Sequence, residues 1–187
     1  MKKFNINEKW LEEFEEVISS IEAYDKTLLK ALFKFLSAKE KPPNIKKSDF
    51  YKYKKLMEKE IKKAINEFKH KAEIYNSLDL IFYQIKSKFY IKSIVANTLS
   101  KMYPNKTIII ILDRGGKELF LSARRQDYRI AVNDLLESAI KGLKNANAGG
   151  HIPAAGGKIL RKDLKKFKEN IIKILEEGKW TKRRKIS

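Results

Sequence analysis

The segment TIIIIL, residues 107–112, constrains this chain more than any other stretch. It is continuously apolar, with no polar side to give to solvent. That pattern belongs to a central strand covered on both faces, and a covered central strand calls for helices packed on a sheet. The next residues suit such a strand. DRGGK, residues 113–117, is a turn whose two glycines are able to take positive φ. ELFLSA, residues 118–123, alternates enough to be the partner strand. Upstream, EIYNSLDLIFYQI is rich in aromatic and β-branched residues and reads as one strand or two.

Helical spacing fills the remainder. Residues 8–22 carry Trp10, Phe14, Val17, Ile18 and Ile21 on one face, with Asn7 placed to cap them. Asp25 caps a second helix bearing Leu28, Leu29, Leu32, Phe33 and Leu36. The prolines of AKEKPPNIKK end that pattern. Ser48 or Asp49 then opens a long lysine-rich helix through Phe50, Tyr53, Met57, Ile61, Ala64 and Phe68. Further helices are expected over 88–102, over 130–143 and from Leu160 to Leu175. The fold class that emerges is α/β (α+β): a helical N-terminal region over 1–72, an α/β domain with a mixed sheet flanked by helices over 73–178, and a basic tail over 179–187.

Charge separates these regions. The chain carries a net charge of +19, yet residues 1–38 hold 6 basic and 7 acidic residues. The excess lies wholly downstream. A field of that size concentrates polyanions at the surface that bears it, which points to nucleic acid. The near-neutral first helices, with Trp10 and Phe14, are left as a surface for a protein partner. There is no cysteine, which removes disulfides, thiol nucleophiles and zinc–thiolate sites and fits a cytoplasmic protein. No apolar run approaches the ~20 residues needed to cross a bilayer, and the first residues lack the pattern of a signal peptide, so no membrane role is expected.

Four of the eight glycines fall in NAGGHIPAAGG, residues 147–157. Small residues there let backbone approach another group closely. Gly115-Gly116-Lys117 lacks the spacing of a nucleotide-binding P-loop. His70, beside lysines on the long helix, reads as a solvated side chain. Asp113 and Asp134 read as a turn residue and a helix-surface residue, not as partners of His151 in a cation site.

LFLSARRQ, then a helix, then NAGGHIPAAGGKI and another helix resembles the DHHA1 domain of the DHH phosphoesterase superfamily, which includes RecJ-type single-strand exonucleases and oligonucleotide phosphodiesterases. Ser122-Ala-Arg124 stands for its Ser-x-Arg element. Gly149-Gly150-His151 and Ala154-Ala155-Gly156 stand for its GGH-x-x-AAG loop. The resemblance implies that Ser122, Arg124, Arg125, Gly149, Gly150, His151, Ala154, Ala155 and Gly156 contact phosphate or nucleic acid. In that family the cleaving metals sit in a separate DHH domain, held by several aspartates and histidines. Residues 1–72 offer only Asp25, Asp49 and His70, and no Asp-His-His. A two-metal centre cannot be assembled from that set. The expectation is therefore no catalytic residue, no metal and no cofactor. The resemblance further implies an archaeal RecJ-like replication factor, associated with chromosomes through the GINS complex and the MCM helicase and touching single-stranded DNA. Its alternative is a DHHA1 subunit that completes a metal-dependent exonuclease or phosphodiesterase together with a separate DHH chain.

Overall fold

The computed structural model describes residues 8–38 and 43–178; Asn7 and the basic tail over 179–187 lie outside the described residues. The chain divides into two compact units. One runs to Lys63 and takes in Phe89–Ile91; the other comprises Ala64–Lys88 and the chain from Lys92 onward.

In the first unit, helix α1 (Glu8–Tyr24) and helix α2 (Leu28–Ser37) turn sharply about Asp25, whose Oδ1 accepts the Thr27 N–H at 2.9 Å. This is an Asx-type turn, and Thr27 stands at the cap of α2 in place of Asp25, the residue expected there. Val17, Ile21, Leu32 and Ile45 form a small buried core, with Phe14, Phe35 and Phe50 packed against it. Trp10 stacks on Phe14 at 5.0 Å between ring centres, and its indole N–H donates to the Pro43 carbonyl at 2.8 Å. Helix α3 (Tyr51–Lys71) begins in this unit and ends in the other.

The second unit is built on a six-stranded sheet. Its strands are β1 (Glu73–Tyr75), β2 (Leu80–Lys86), β3 (Thr107–Asp113), β4 (Glu118–Arg124), β5 (Asn147–His151) and β6 (Ala154–Leu160). They lie in the order β1-β2-β3-β4-β6-β5. Only β2 and β3 are parallel, joined by the crossover helix α4 (Lys92–Met102). Every residue of β3 is buried, as its unbroken apolar run requires. Helices α5 (Val132–Ala139) and α6 (Leu164–Glu176) cover one face, where Phe82, Ile109, Ile111, Leu121, Ile159 and Phe167 make the main core. Helix α4 packs against β3 and β4 on the opposite face. On that face the end of α3 is fixed to β2: the Tyr83 hydroxyl donates to the Ala64 carbonyl at 2.6 Å, and Phe68 meets the Tyr83 ring edge-on. Burial pushes the Tyr83 phenol up to about 12.

The architecture is thus the expected α/β fold, with three local differences. The stretch 147–157 is not a loop but the hairpin β5–β6. Glycine and alanine have weak strand preference, and edge pairing to β4 overrides it. The helix expected over 130–143 is cut to eight residues, because Gly142 takes φ +80° and ends the turn that follows. Of the two glycines in DRGGK, only Gly115 takes positive φ, at +88°.

Candidate nucleic-acid interface

The hairpin is anchored at its tip. Arg125 donates its backbone N–H to the Pro153 carbonyl at 3.1 Å, and Val132 donates to Ile152 at 2.9 Å. Two glycines are dictated by this hairpin. Gly150 takes φ +147°, and a Cβ on it would fall on the Ala154 carbonyl oxygen. One on Gly157 would fall on the Asn147 carbonyl oxygen. Gly149 differs, for a Cβ there would meet nothing. No protein contact demands a glycine at that position, and its bare backbone is open to solvent.

Register sets which residues share a face, since directly opposed residues on neighbouring strands point the same way. Arg124 pairs with Ala154 and Ala154 with His151; Ser122 pairs with Gly156 and Gly156 with Gly149. These two rows lie on the α4 side of the sheet. They make a shallow floor of small residues beside α4, walled by Arg124. Gly149 and His151 are exposed, Ala154 and Gly156 half-buried, and Ser122 buried at the back. Because β5 is the edge strand, alternate N–H groups along it face away from β6 and are free to donate to a ligand.

Arg124 is held in place by the protein. Its Nε donates to Asn97 Oδ1 at 2.6 Å, and its Nη1 to the Ala123 carbonyl at 2.8 Å, with longer bonds to Ser122 Oγ and the Ala155 carbonyl, both at 3.4 Å. Every partner is neutral. Lys92, the first residue of α4, approaches from above, with Nζ 3.7 Å from where a Cβ on Gly156 would lie. Burial holds the Lys92 ammonium below the ordinary lysine value, and the charge of Arg124 lowers it further. Burial likewise lowers Arg124.

Three of the expected contact residues stand elsewhere. Arg125 is 2% exposed, and its guanidinium is clamped on Asp127 at 2.7 and 3.0 Å and on Thr107 Oγ1 at 3.1 Å. As the immediate neighbour of Arg124 it takes the opposite side of the sheet by the ordinary strand alternation, where Asp127 and Thr107 hold its guanidinium. Ala155 belongs to the α5-side core, and Gly150 shares its row. Lys92 and Asn97 were not singled out by the sequence: they lie on a helix remote in the chain, and nothing distinguishes Lys92 among 42 basic residues.

The acids do not converge on His151. Asp113 is buried in a fork-to-fork pair with Arg161 and accepts the Gly115 N–H at 2.7 Å. The Arg161 hydrogen bonds, despite the opposing effect of burial, bring its carboxyl down to about 2. Asp134 is exposed and accepts from Asn133, and His70 is exposed on α3. Among the described residues no group of three or more histidines and carboxylates is placed to hold a metal ion. Among them, too, no helix is long and apolar enough to cross a membrane. Trp10 and Phe14, expected as a partner surface, are half-buried, Phe14 against its own unit's core; the exposed large apolar side chains of α1 and α2 are Leu11, Tyr24 and Phe33.

A mixed sheet with this order, a Ser-x-Arg strand and a small-residue hairpin beside it define a DHHA1-type fold. The chain belongs to the DHHA1 domain family, whose model matches residues 84–177. Among solved structures it is similar to RecJ from Thermus thermophilus in complex with Mg2+, at 15% identity and a TM-score of 0.69, over 90% of this chain and 26% of that one. The Mn2+ complex of the same RecJ gives 15% identity and a TM-score of 0.68, over 87% and 23%. CDC45 from Entamoeba histolytica is similar at 12% identity and a TM-score of 0.56, over 88% and 37%. At such identities the likeness is one of fold, and the chain spans about a quarter of the RecJ length. No curated protein matches its sequence.

Proposed function

We propose that this protein is a non-catalytic RecJ-like DNA replication factor, which holds single-stranded DNA by its phosphates on the open β4–β6–β5 face. The observation that carries this reading is Arg124: a half-buried guanidinium with only neutral partners, beside a floor of exposed Gly149 and half-buried Gly156 and Ala154. A buried cation without a carboxylate is costly unless an anion visits it. Backbone N–H groups of β5 and the exposed His151 supply further donors. Bases stack on nothing in such a floor, so phosphates carry the affinity and binding is strongly salt-dependent.

The reading extends to partners through the RecJ and CDC45 likeness of fold and the family resemblance. The near-neutral first helices, with exposed Leu11 and Phe33, serve as the surface for the GINS complex and the MCM helicase, which keeps the protein at chromosomes in the cytoplasm. The test is anisotropy of a labelled oligothymidylate across a salt series, with nuclease assays in manganese alongside. Salt-sensitive binding that Arg124→Ala removes, without cleavage, is expected. Cleavage by the purified chain would overturn the non-catalytic reading, and unchanged binding by folded Arg124→Ala would overturn the site. Manganese-dependent cleavage gained only on adding a separate DHH chain would favour the subunit alternative.

A further inference from the structure

We propose that Lys92 is the second arm of this site: its Nζ, from the first turn of α4, and the Arg124 guanidinium, from β4, close over Gly156 and hold one phosphate group between them. The proposal rests on the reading of this face as a phosphate site and adds to it a residue from outside the Ser-x-Arg and GGH elements.

The placement comes first. Lys92 Nζ lies 3.7 Å from the point a Gly156 Cβ would occupy, so the ammonium stands directly over the glycine floor. A side chain at 156 would fill the space that an anion needs. Arg124 commits Nε and Nη1 to Asn97, Ala123, Ser122 and Ala155. Its Nη2 makes no hydrogen bond among the described residues. The two cations therefore keep a free ammonium and one free guanidinium edge at the same spot.

The electrostatics agree. Elsewhere in the chain lysines that rest on protein surface find acids: Lys54 on Glu16, Lys106 on Asp79, Lys158 on Glu118 and Lys168 on Glu73. Among the described residues, neither Lys92 nor Arg124 has a carboxylate within ion-pairing distance, and Arg124 is the charged group that acts on Lys92. Two half-buried like charges side by side destabilise the unliganded fold, and a phosphate between them removes both the repulsion and the missing neutralisation. Cations arranged against such repulsion cluster at binding sites. Lys158 lies on the same face but is engaged by Glu118 at 2.7 Å, so it does not take this place.

The experiment uses the full chain with Lys92→Met, Lys92→Arg and Arg124→Ala. Binding is read by anisotropy of an oligothymidylate labelled at its 3′ end, made with a 5′-phosphate and with a 5′-hydroxyl, and by competition with inorganic phosphate. Lys92→Met is expected to weaken binding about tenfold, and Lys92→Arg to stay within about twofold of the wild type. The melting temperature of Lys92→Met is expected to equal or exceed that of the wild type, because an unneutralised cation is gone. Loss confined to the 5′-phosphorylated strand assigns the clamp to a strand end; equal loss on both strands assigns it to an internal phosphodiester. A second readout is pH. Lys92 must be charged to bind, so wild-type affinity falls as pH rises from neutrality toward the ordinary lysine value of 10.5, and Lys92→Arg does not follow. Lys92→Met binding within about twofold of the wild type while Arg124→Ala fails would overturn the clamp and leave the face intact. Unchanged binding in both Lys92→Met and Arg124→Ala would overturn the face as well.

Discussion

The β4–β6–β5 half of the sheet has two faces made from alternate residues of the same three strands. Leu119, Leu121, Ala123, Ala155 and Ile159 point to α5 and α6 and are buried in the main core. Ser122, Arg124, Ala154, Gly156, Gly149 and His151 point the other way, onto a floor that opens to solvent. One face uses its side chains for packing. The other keeps side chains small or cationic and leaves its polar groups for something outside the protein. The difference teaches that neighbouring residues of the family's motif divide between an open face and structural support.

This contrast can be broken from either side. The largest effect is expected on the packed face: Leu121→Ala empties a fully buried position and should cost about 2–5 kcal/mol of unfolding free energy in a denaturant titration. The fraction that remains folded should bind oligonucleotide as before. At the sheet's far end, Arg161→Ala should lower stability at neutral pH, since it releases a carboxyl held near 2. Because that carboxyl is depressed when folded, its contribution is complete above the ordinary value of 3.8 and disappears as pH falls through about 2. The wild type and Arg161→Ala should therefore converge in stability on acidification, which a pH series of thermal melts would check. Gly157→Ala comes next at about 1–3 kcal/mol, because the added Cβ collides with backbone of β5.

On the open face stability and affinity come apart. Arg124→Ala should weaken oligonucleotide binding at least tenfold, or about 1.4 kcal/mol, while the unfolding free energy changes by less than about 0.5 kcal/mol. Gly149→Ala is the sharpest and smallest test. Its Cβ meets no protein atom, so the fold should hold to within about 0.5 kcal/mol. A fewfold loss of affinity would show that the bare backbone serves the ligand, and an unchanged affinity would restrict the site to its cations.

Much of this was legible in the chain, and the gaps have physical causes. The run 107–112 announced a central strand because no other arrangement covers it on both sides, and β3 is buried throughout. Asp25 reads as a helix cap, but its short carboxylate reaches a backbone N–H two residues on and makes a turn before Thr27, the residue at the cap. The stretch 147–157 misled, because glycine and alanine have little intrinsic liking for a strand and the pairing partner lies over thirty residues away on β4. Trp10 and Phe14 turn partly inward: aromatic residues on a near-neutral helix satisfy each other and their own core as readily as they meet a partner.

By itself the sequence determined the class of fold, the family elements Ser122-Ala-Arg124 and Gly149-Gly150-His151, and the location of the charge excess, since each depends on local pattern. Only the tertiary structure decided which side each of two neighbouring residues takes. Strand alternation puts Arg124 and Arg125 on opposite sides, and packing decides which is which: Arg124 faces the floor and Arg125 is buried against Asp127 and Thr107. Only the tertiary structure, too, brought Lys92 over Gly156, because the crossover helix between parallel strands carries residue 92 across a sheet face to meet residue 156. No spacing along the chain encodes that meeting.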